Sequence, residues 1–296
     1  MSLLGRAEEG GMLSPREIRG AVKRCLVEAG TTFRKDQLKA YQDAIRAEKS
    51  ENAKWVFEKI LENARIAERK ARPLCDDTGI PHVFVEIGQD LTLPKSWLSA
   101  ISDGIAEGLR VMPGRPMAVR GTLVERIEQS RGLFTDPSRV LPAPVIVKPA
   151  HGDKLKVTVL LLGGGPEIRA KTYRVFHQRS IDVVLEEAAG WAVAEMKSLG
   201  CTPCVLAIGI GRSHTEASAL VLEAMKQGSL SCQNRLEQKV TGMINATHVG
   251  PLGLGGETTA LGTFIKVGPL RASGVRIVSV RPCCCVEPRR ATAVLG

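Results

Sequence analysis

Arg72-Pro73-Leu74-Cys75-Asp76-Asp77-Thr78-Gly79 sets one cysteine beside two carboxylates, a hydroxyl and a turn-forming glycine, and it divides two kinds of hydrophobic pattern. Upstream, apolar residues recur at helical spacing. Downstream, Val83, Val85 and Ile87 alternate as in a half-buried strand from His82 to Ile87. Pro73 and Gly79 make the stretch between them an irregular loop. A thiolate there could bind a metal, and a neighbouring carboxylate could take or give a proton. The same residues also suit a capped turn, with Asp76 or Asp77 bonding nearby amides and Cys75 simply buried.

Working outward towards the N-terminus, Ser14-Pro15-Arg16-Glu17 is a capping box with proline at the first helical position, and Ile18, Val22 and Leu26 follow at fourfold spacing. Further helical patterns run from Lys35 to Ala47 and from Asn52 to Lys70, the latter with Trp55, Val56, Ile60, Leu61 and Ala64 on one face. Residues 1–70 therefore form a helical region, which packs as one continuous domain with residues 71–296.

Beyond the cysteine loop, helix and strand alternate, giving an α/β class with α+β as the other arrangement. Leu98, Ile101, Ile105 and Leu109 line a helix, whereas Arg115 to Pro144 is basic, rich in proline and glycine, and without clear period. Arg120, Arg126 and Arg131 in this stretch could meet an anion. Strands Val145 to Lys148 and Leu155 to Leu162 lead into Gly163-Gly164-Gly165, whose amides can approach an anion with no side chain intervening. A helix from Ser180 to Leu199 stops at Gly200, Cys201 follows on a turn, and Cys204 to Ile210 is a strand. After a helix from His214 to Gln227 comes a glycine-rich loop, Thr247 to Gly256, which has neither the Gly-x-Gly-x-x-Gly order nor a Walker lysine. The strand Val275 to Val280 then delivers Cys283-Cys284-Cys285 and Arg289-Arg290.

Composition narrows the class. No apolar run reaches the length of a membrane helix, and Met1 to Gly11 carries charges where a signal peptide would be apolar, so a soluble, cytoplasmic protein is expected. Eight cysteines, clustered rather than evenly spaced, suggest metal in a reducing compartment rather than a disulfide scaffold. The formal charge of +10 is scattered and accompanied by only six Phe, three Trp and two Tyr, which fits an anionic substrate or acidic partner and disfavours nucleic acid. A structural zinc protein using Cys201, Cys204 and two terminal cysteines, or a basic RNA-binding module, are the alternatives.

In order, Cys75-Asp76-Asp77-Thr78-Gly79, Cys201-Thr202-Pro203 with Ile208-Gly209-Ile210-Gly211, and Cys285-Val286-Glu287-Pro288-Arg289-Arg290 resemble the alpha component of the class I fumarase and L-tartrate dehydratase family. The matching family patterns are Cys-Gln-Asp-Thr-Gly, Cys-Pro-Pro and Cys-Trp-Ala-x-Arg-Arg. The triple glycine and Gly250-Pro251-Leu252-Gly253-Leu254-Gly255-Gly256 match too, so the resemblance runs from about residue 15 to the C-terminus. Departures are Asp76 for glutamine, Pro166-Glu167-Ile168-Arg169 for Ser-Glu-Asn-Lys, a different loop from Ser130 to Pro144, and Ser273 near the place of a family histidine.

The resemblance implies an iron–sulfur hydro-lyase with a 4Fe-4S cluster on Cys75, Cys201 and Cys285, one inserted residue being enough to transfer the last role to Cys284. It implies a small dicarboxylic acid substrate and a separate beta subunit, hence a hetero-oligomer. Asp77 is the candidate for proton transfer or substrate positioning. Arg120 and the amides of Gly163, Gly164 and Gly165 are candidates for holding the distal carboxylate, with Asp76 and Thr78 beside the substrate.

Overall fold

The computed structural model describes residues 13–296; the charged N-terminal stretch Met1 to Gly11 lies outside them. In chain order come α1 (Pro15–Thr31), α2 (Lys35–Ala47), α3 (Glu51–Lys70), β1 (Ile80–Gly88), α4 (Trp97–Val111), α5 (Leu123–Glu128), β2 (Ile146–Ala150) and β3 (Leu155–Leu162). They are followed by α6 (Gly164–Glu167), β4 (Lys171–Phe176), α7 (Ile181–Leu199), β5 (Cys204–Gly211), α8 (His214–Gln227), α9 (Arg235–Asn245), β6 (Ala260–Val267), β7 (Val275–Cys283) and β8 (Arg289–Leu295). This is the α/β class expected from the sequence.

The chain forms two compact units, each assembled from separated stretches. The first takes the described residues 13–29 together with Ile80–Leu160 and Ala291–Gly296; the second takes Gly30–Gly79 and Leu161–Arg290. In the first, a four-stranded sheet has the order β2-β1-β3-β8, with β1 and β2 parallel. Its β3 buries Leu155, Val157, Val159 and Leu160, and α1 starts on the capping box read from the sequence, Ser14 N–H to Glu17 at 2.8 Å and Glu17 N–H to Ser14 Oγ at 3.2 Å.

The second unit carries Cys75, Cys201 and Cys283–Cys285. Its sheet has the order β4-β7-β5-β6, in which β5 is antiparallel to β7 and parallel to β6. Every residue of β5 is buried, so the strand reads as an unbroken apolar run rather than an alternating one. Helix α8 packs so closely on β5 that a Cβ built on Gly209 would lie 2.2 Å from the Ala217 carbonyl oxygen and 2.7 Å from Val221 N. The core continues through Leu206, Ile208, Val278 and Val280 to Tyr41 and Phe57 of α2 and α3, where Tyr41 stacks on Phe33 at 5.7 Å between centroids.

Several elements have no counterpart in the sequence pattern. Helix α5 is one such element, only six residues long, and it exposes Leu123, Val124 and Ile127, so no apolar period develops in the stretch read as loop. β4, β6 and β8 carry lysine, arginine or threonine among their apolar residues, which masks alternation. Helix α9 did carry a signal, the Asn234 to Glu237 capping box, both halves of which form.

Because Gly209 meets backbone rather than a flexible side chain, Gly209→Ala should lower stability by about 1–3 kcal/mol through overpacking. A fall in the urea midpoint at unchanged m-value would register it.

Candidate active site

Three loops of the second unit bear the cysteines, and each is pinned by backbone groups. The Cys75 loop is entered through Leu74, whose N–H donates to the Gly30 carbonyl and whose own carbonyl accepts from Asn63 Nδ2, both at 2.9 Å. It ends at Gly79, where φ is +81° and an added Cβ would lie 2.7 Å from the Leu162 carbonyl group and 2.8 Å from Arg289 Nη2. Only glycine fits there. The Cys201 turn follows the left-handed Gly200 that stops α7, and Thr202 Oγ1 donates to the Gly250 carbonyl at 2.6 Å. The glycine-rich 250–256 loop thus braces the turn. The terminal turn is held from α2: Tyr41 Oη donates to the Cys285 carbonyl at 2.6 Å, Gln37 to that of Val286 at 3.2 Å, and Arg34 to that of Pro288. Cys285 N–H reaches across to the Cys201 carbonyl at 2.9 Å, joining two of the loops directly.

The thiols feel one another. Burial pushes the Cys75 thiol up to about 11, and Cys284 adds to the rise while Arg289 opposes it. Cys201 is raised by burial and then by Cys284. Cys285 hydrogen-bonds to Cys284, which raises Cys285 and lowers Cys284, with Cys201 and Cys75 adding to the cost of ionising Cys285. Four sulfur atoms therefore share one partly buried neighbourhood that holds Cys75, Cys201 and Cys285 towards the neutral thiol unless a cation arrives, whereas Cys284 is the one whose ionisation is favoured. Among the described residues no group of three or more His, Cys, Asp or Glu side chains forms a finished metal site. In kind, the donors fit an iron–sulfur cluster: soft, uncharged at rest, carried on loops, and backed by the apolar Leu74 and Val286. Cys204, needed by a zinc site at Cys201, is instead fully buried at the start of β5, its sulfur 3.5 Å from that of Met196.

Gly163-Gly164-Gly165 ties these loops together. Gly163 N–H donates to the Glu287 carboxylate, and Gly164 N–H donates to Asp77 Oδ2 at 2.7 Å. Asp77 Oδ1 accepts from Gly79 N–H at 3.1 Å, and its carbonyl accepts from Arg289 Nη1 at 2.9 Å. The Gly165 carbonyl accepts from Arg169 Nη1 at 2.9 Å, while Nη2 of the same guanidinium reaches the Ser198 carbonyl at the end of α7. Glu287, with no exposed side-chain surface, is the hub of an ion cluster with Arg281 Nη1 at 2.6 Å and Arg289 Nη2 at 3.7 Å. Burial works against the Arg281 charge, yet Glu287 holds its ionisation above the usual arginine range. A side chain at residue 163 would fall 2.9 Å from Asp77 Oδ2 and 3.1 Å from Glu287 Oε1, which explains the glycine.

The sequence candidates Cys75, Asp76, Asp77, Thr78, Gly163, Gly164, Gly165, Cys201 and Cys285 all belong to this unit. Asp76 is exposed beside the Cys75 thiol, at 3.4 Å, and Thr78 is buried. The Gly163 and Gly164 amides, expected to grip a substrate carboxylate, already donate to carboxylates of the chain itself. Arg120 belongs to the first unit, exposed on a loop where its N–H bonds the Gly132 carbonyl at 3.0 Å.

A family model described as Fumarate hydratase (Fumerase) matches residues 19–294. The chain belongs to the fumarate hydratase family. Among curated relatives of this family is a Methanocaldococcus jannaschii protein assigned by name as an L(+)-tartrate dehydratase subunit alpha, 29% identical over 252 residues that cover 81% of this chain and 85% of the relative. The L(+)-tartrate dehydratase subunit alpha of Escherichia coli K12 is 23% identical over 257 residues, 84% of this chain and 80% of the relative. A Geobacillus stearothermophilus protein assigned as a class I fumarate hydratase is 26% identical over 264 residues; these span 83% of this chain but only 48% of that longer relative.

Within this fumarate hydratase family member, the sequence reading missed Glu287, Arg281 and Arg169, and left Cys284 as a substitute. The signal for Glu287 was its charge where the family pattern has alanine; Arg281 lies inside the β7 run and offers no motif. Removing Glu287 takes from Arg281 its one fully buried carboxylate, leaving it the largely exposed Glu167 at 3.2 Å, and takes from Arg289 its carboxylate at 3.7 Å, so Glu287→Ala should cost about 3–5 kcal/mol in a denaturant titration. A second expectation concerns Cys75. With its thiol near 11, only about one molecule in a thousand is thiolate at pH 8, so iodoacetamide labelling of the metal-free chain should rise about tenfold per pH unit from 8 to 10, as read by peptide mass spectrometry.

Proposed function

We propose that the chain is the cluster-bearing alpha component of an iron–sulfur hydro-lyase that reversibly dehydrates a small hydroxy-dicarboxylic acid of the fumarate or tartrate kind. The observation that carries this reading is the grouping of the Cys75, Cys201 and Cys284–Cys285 thiols with an amide-bound carboxylate, Asp77, in one unit of a fumarate hydratase family chain. The same grouping and the family match favour it over a structural zinc protein or an RNA-binding module.

Cys75, Cys201 and Cys285, with Cys284 as the substitute for the last, would hold a 4Fe-4S cluster. When bound on three thiolates, such a cluster supplies an iron without a protein ligand, a Lewis acid for a hydroxyl and its adjacent carboxylate. Asp77 would move the proton. Each of its oxygens accepts one backbone N–H, from Gly79 or Gly164, which fixes the carboxylate plane and leaves a further acceptor position on each oxygen. It takes the proton from the carbon next to the hydroxyl-bearing one as the C–O bond breaks and hydroxide leaves, and passing that proton to the hydroxide completes the water; hydration runs the same steps in reverse, with no net change of oxidation state. Asp76 and Thr78 flank the substrate, and Arg120 is retained as a candidate for its distal carboxylate.

Two of the relatives are named as alpha subunits, which supports a separate beta component and a hetero-oligomer in which the site is completed. Among the described residues no helix is long and apolar enough to cross a membrane, and a cytoplasmic location suits the reduced thiols.

Anaerobic reconstitution with iron and sulfide should give a brown protein that, with its beta component, dehydrates a hydroxy-dicarboxylate found by screening. Cys75→Ser or Cys201→Ser should abolish the absorbance and most bound iron; unchanged iron would sink the ligand assignment. Air should inactivate the complex and ferrous iron with a reductant should restore it. Arg120→Leu should raise KM for the dicarboxylate by one to two orders of magnitude, as expected for losing about 1.5–3 kcal/mol of charge-assisted bonding, and should leave the cluster spectrum unchanged.

A further inference from the structure

We propose that Arg169 is a carboxylate-recognising residue of this site, an assignment that rests on the hydro-lyase reading. The glycine amides first expected to hold a substrate carboxylate are committed, Gly163 to Glu287 and Gly164 to Asp77. The arginines deeper in the unit are committed as well. Arg281 and Arg289 are sealed against Glu287, and Arg34 is paired with Asp36 at 2.9 Å.

Arg169 differs from these. Its guanidinium holds two neutral acceptors, the carbonyls of Gly165 and Ser198, so neither bond cancels its charge. Its Nε, like that of Arg289, is shut off from solvent and finds no acceptor among the described residues, but Arg289 has the Glu287 carboxylate to offset its charge. A buried donor left unmet is costly, and a cation in that state is suited to an anion. The side chain is only half-buried, and its two bonds span from the glycine run to the end of α7, immediately before Gly200 and Cys201. Cationic, planar and anchored on both sides, the guanidinium is pre-organised for a carboxylate, which would use Nε–H and a remaining Nη N–H as a two-pronged donor.

The test uses the anaerobically reconstituted complex with its beta component, in wild-type form and as Arg169→Gln and Arg169→Lys. Succinate, a dicarboxylate with no hydroxyl to lose, is titrated calorimetrically, and KM and kcat are measured on the acid that the wild type turns over. Arg169→Gln should weaken succinate about tenfold or more and raise KM to match, with kcat falling less than KM rises. Arg169→Lys, which keeps the charge without the planar fork, should recover part of the loss, and both variants should keep wild-type iron content and absorbance. Wild-type succinate affinity in Arg169→Gln would overturn the proposal and leave the hydro-lyase reading standing. Loss of iron or of the folded state in both variants would make Arg169 a purely structural strap and would equally overturn it. A wild type that carries iron yet neither binds succinate nor turns over any dicarboxylate would remove the hydro-lyase reading and the proposal with it.

Discussion

Three consecutive glycines hold the site together. The peptide groups of residues 163–165 are bonded in succession to Glu287 of the terminal cysteine turn, Asp77 of the first cysteine loop, and Arg169, which continues to the end of the helix before Cys201. Loops more than a hundred residues apart are thereby referred to one short piece of backbone. A side chain at residue 163 would push both carboxylates away, so the absence of a Cβ there is what permits the close approach.

Beneath this hub lies an arrangement that is costly in isolation. Arg281, Glu287 and Arg289 are withdrawn from water, and burying three charges is repaid only by close, complete pairing. Arg281 also meets the largely exposed Glu167 carboxylate at 3.2 Å, so the two cations face two anions. Arg289 lies on the side of the site where it favours ionisation of Cys75 and Cys284. A set of thiols that burial holds neutral is thus tempered by a fixed positive charge, a setting suited to anionic sulfur once a metal supplies the remaining compensation.

Much of this was legible in the sequence because the cysteine loops are announced by proline and glycine and bounded by strong helical or strand patterns. The long α3 emerges from its helical spacing, and β5 from an unbroken apolar run. What stayed hidden depends on long-range pairing. Arg281 is one charged residue in a strand, and only the fold discloses that Glu287 and the Gly163 carbonyl receive it, the latter at 3.2 Å. Arg120 drew attention by sitting among other arginines, whereas Arg169 stood in a short turn after α6 whose contacts with Ser198 no local pattern encodes. The choice between Cys284 and Cys285 was ambiguous for a different reason: one inserted residue would transfer the role, and the two neighbouring thiols also hydrogen-bond each other.

The close meeting of Gly79 and Leu162 has an architectural meaning. The chain leaves the second unit after Gly79 and re-enters it at Leu161, and these points of exit and return almost touch. Everything from Ile80 to Leu160 is therefore an excursion whose ends are already closed, with the Cys75 loop just before the gap and the glycine run just after it. Lineages could lengthen, shorten or rebuild such an excursion while the hydrogen bond from Gly164 to Asp77 kept its place.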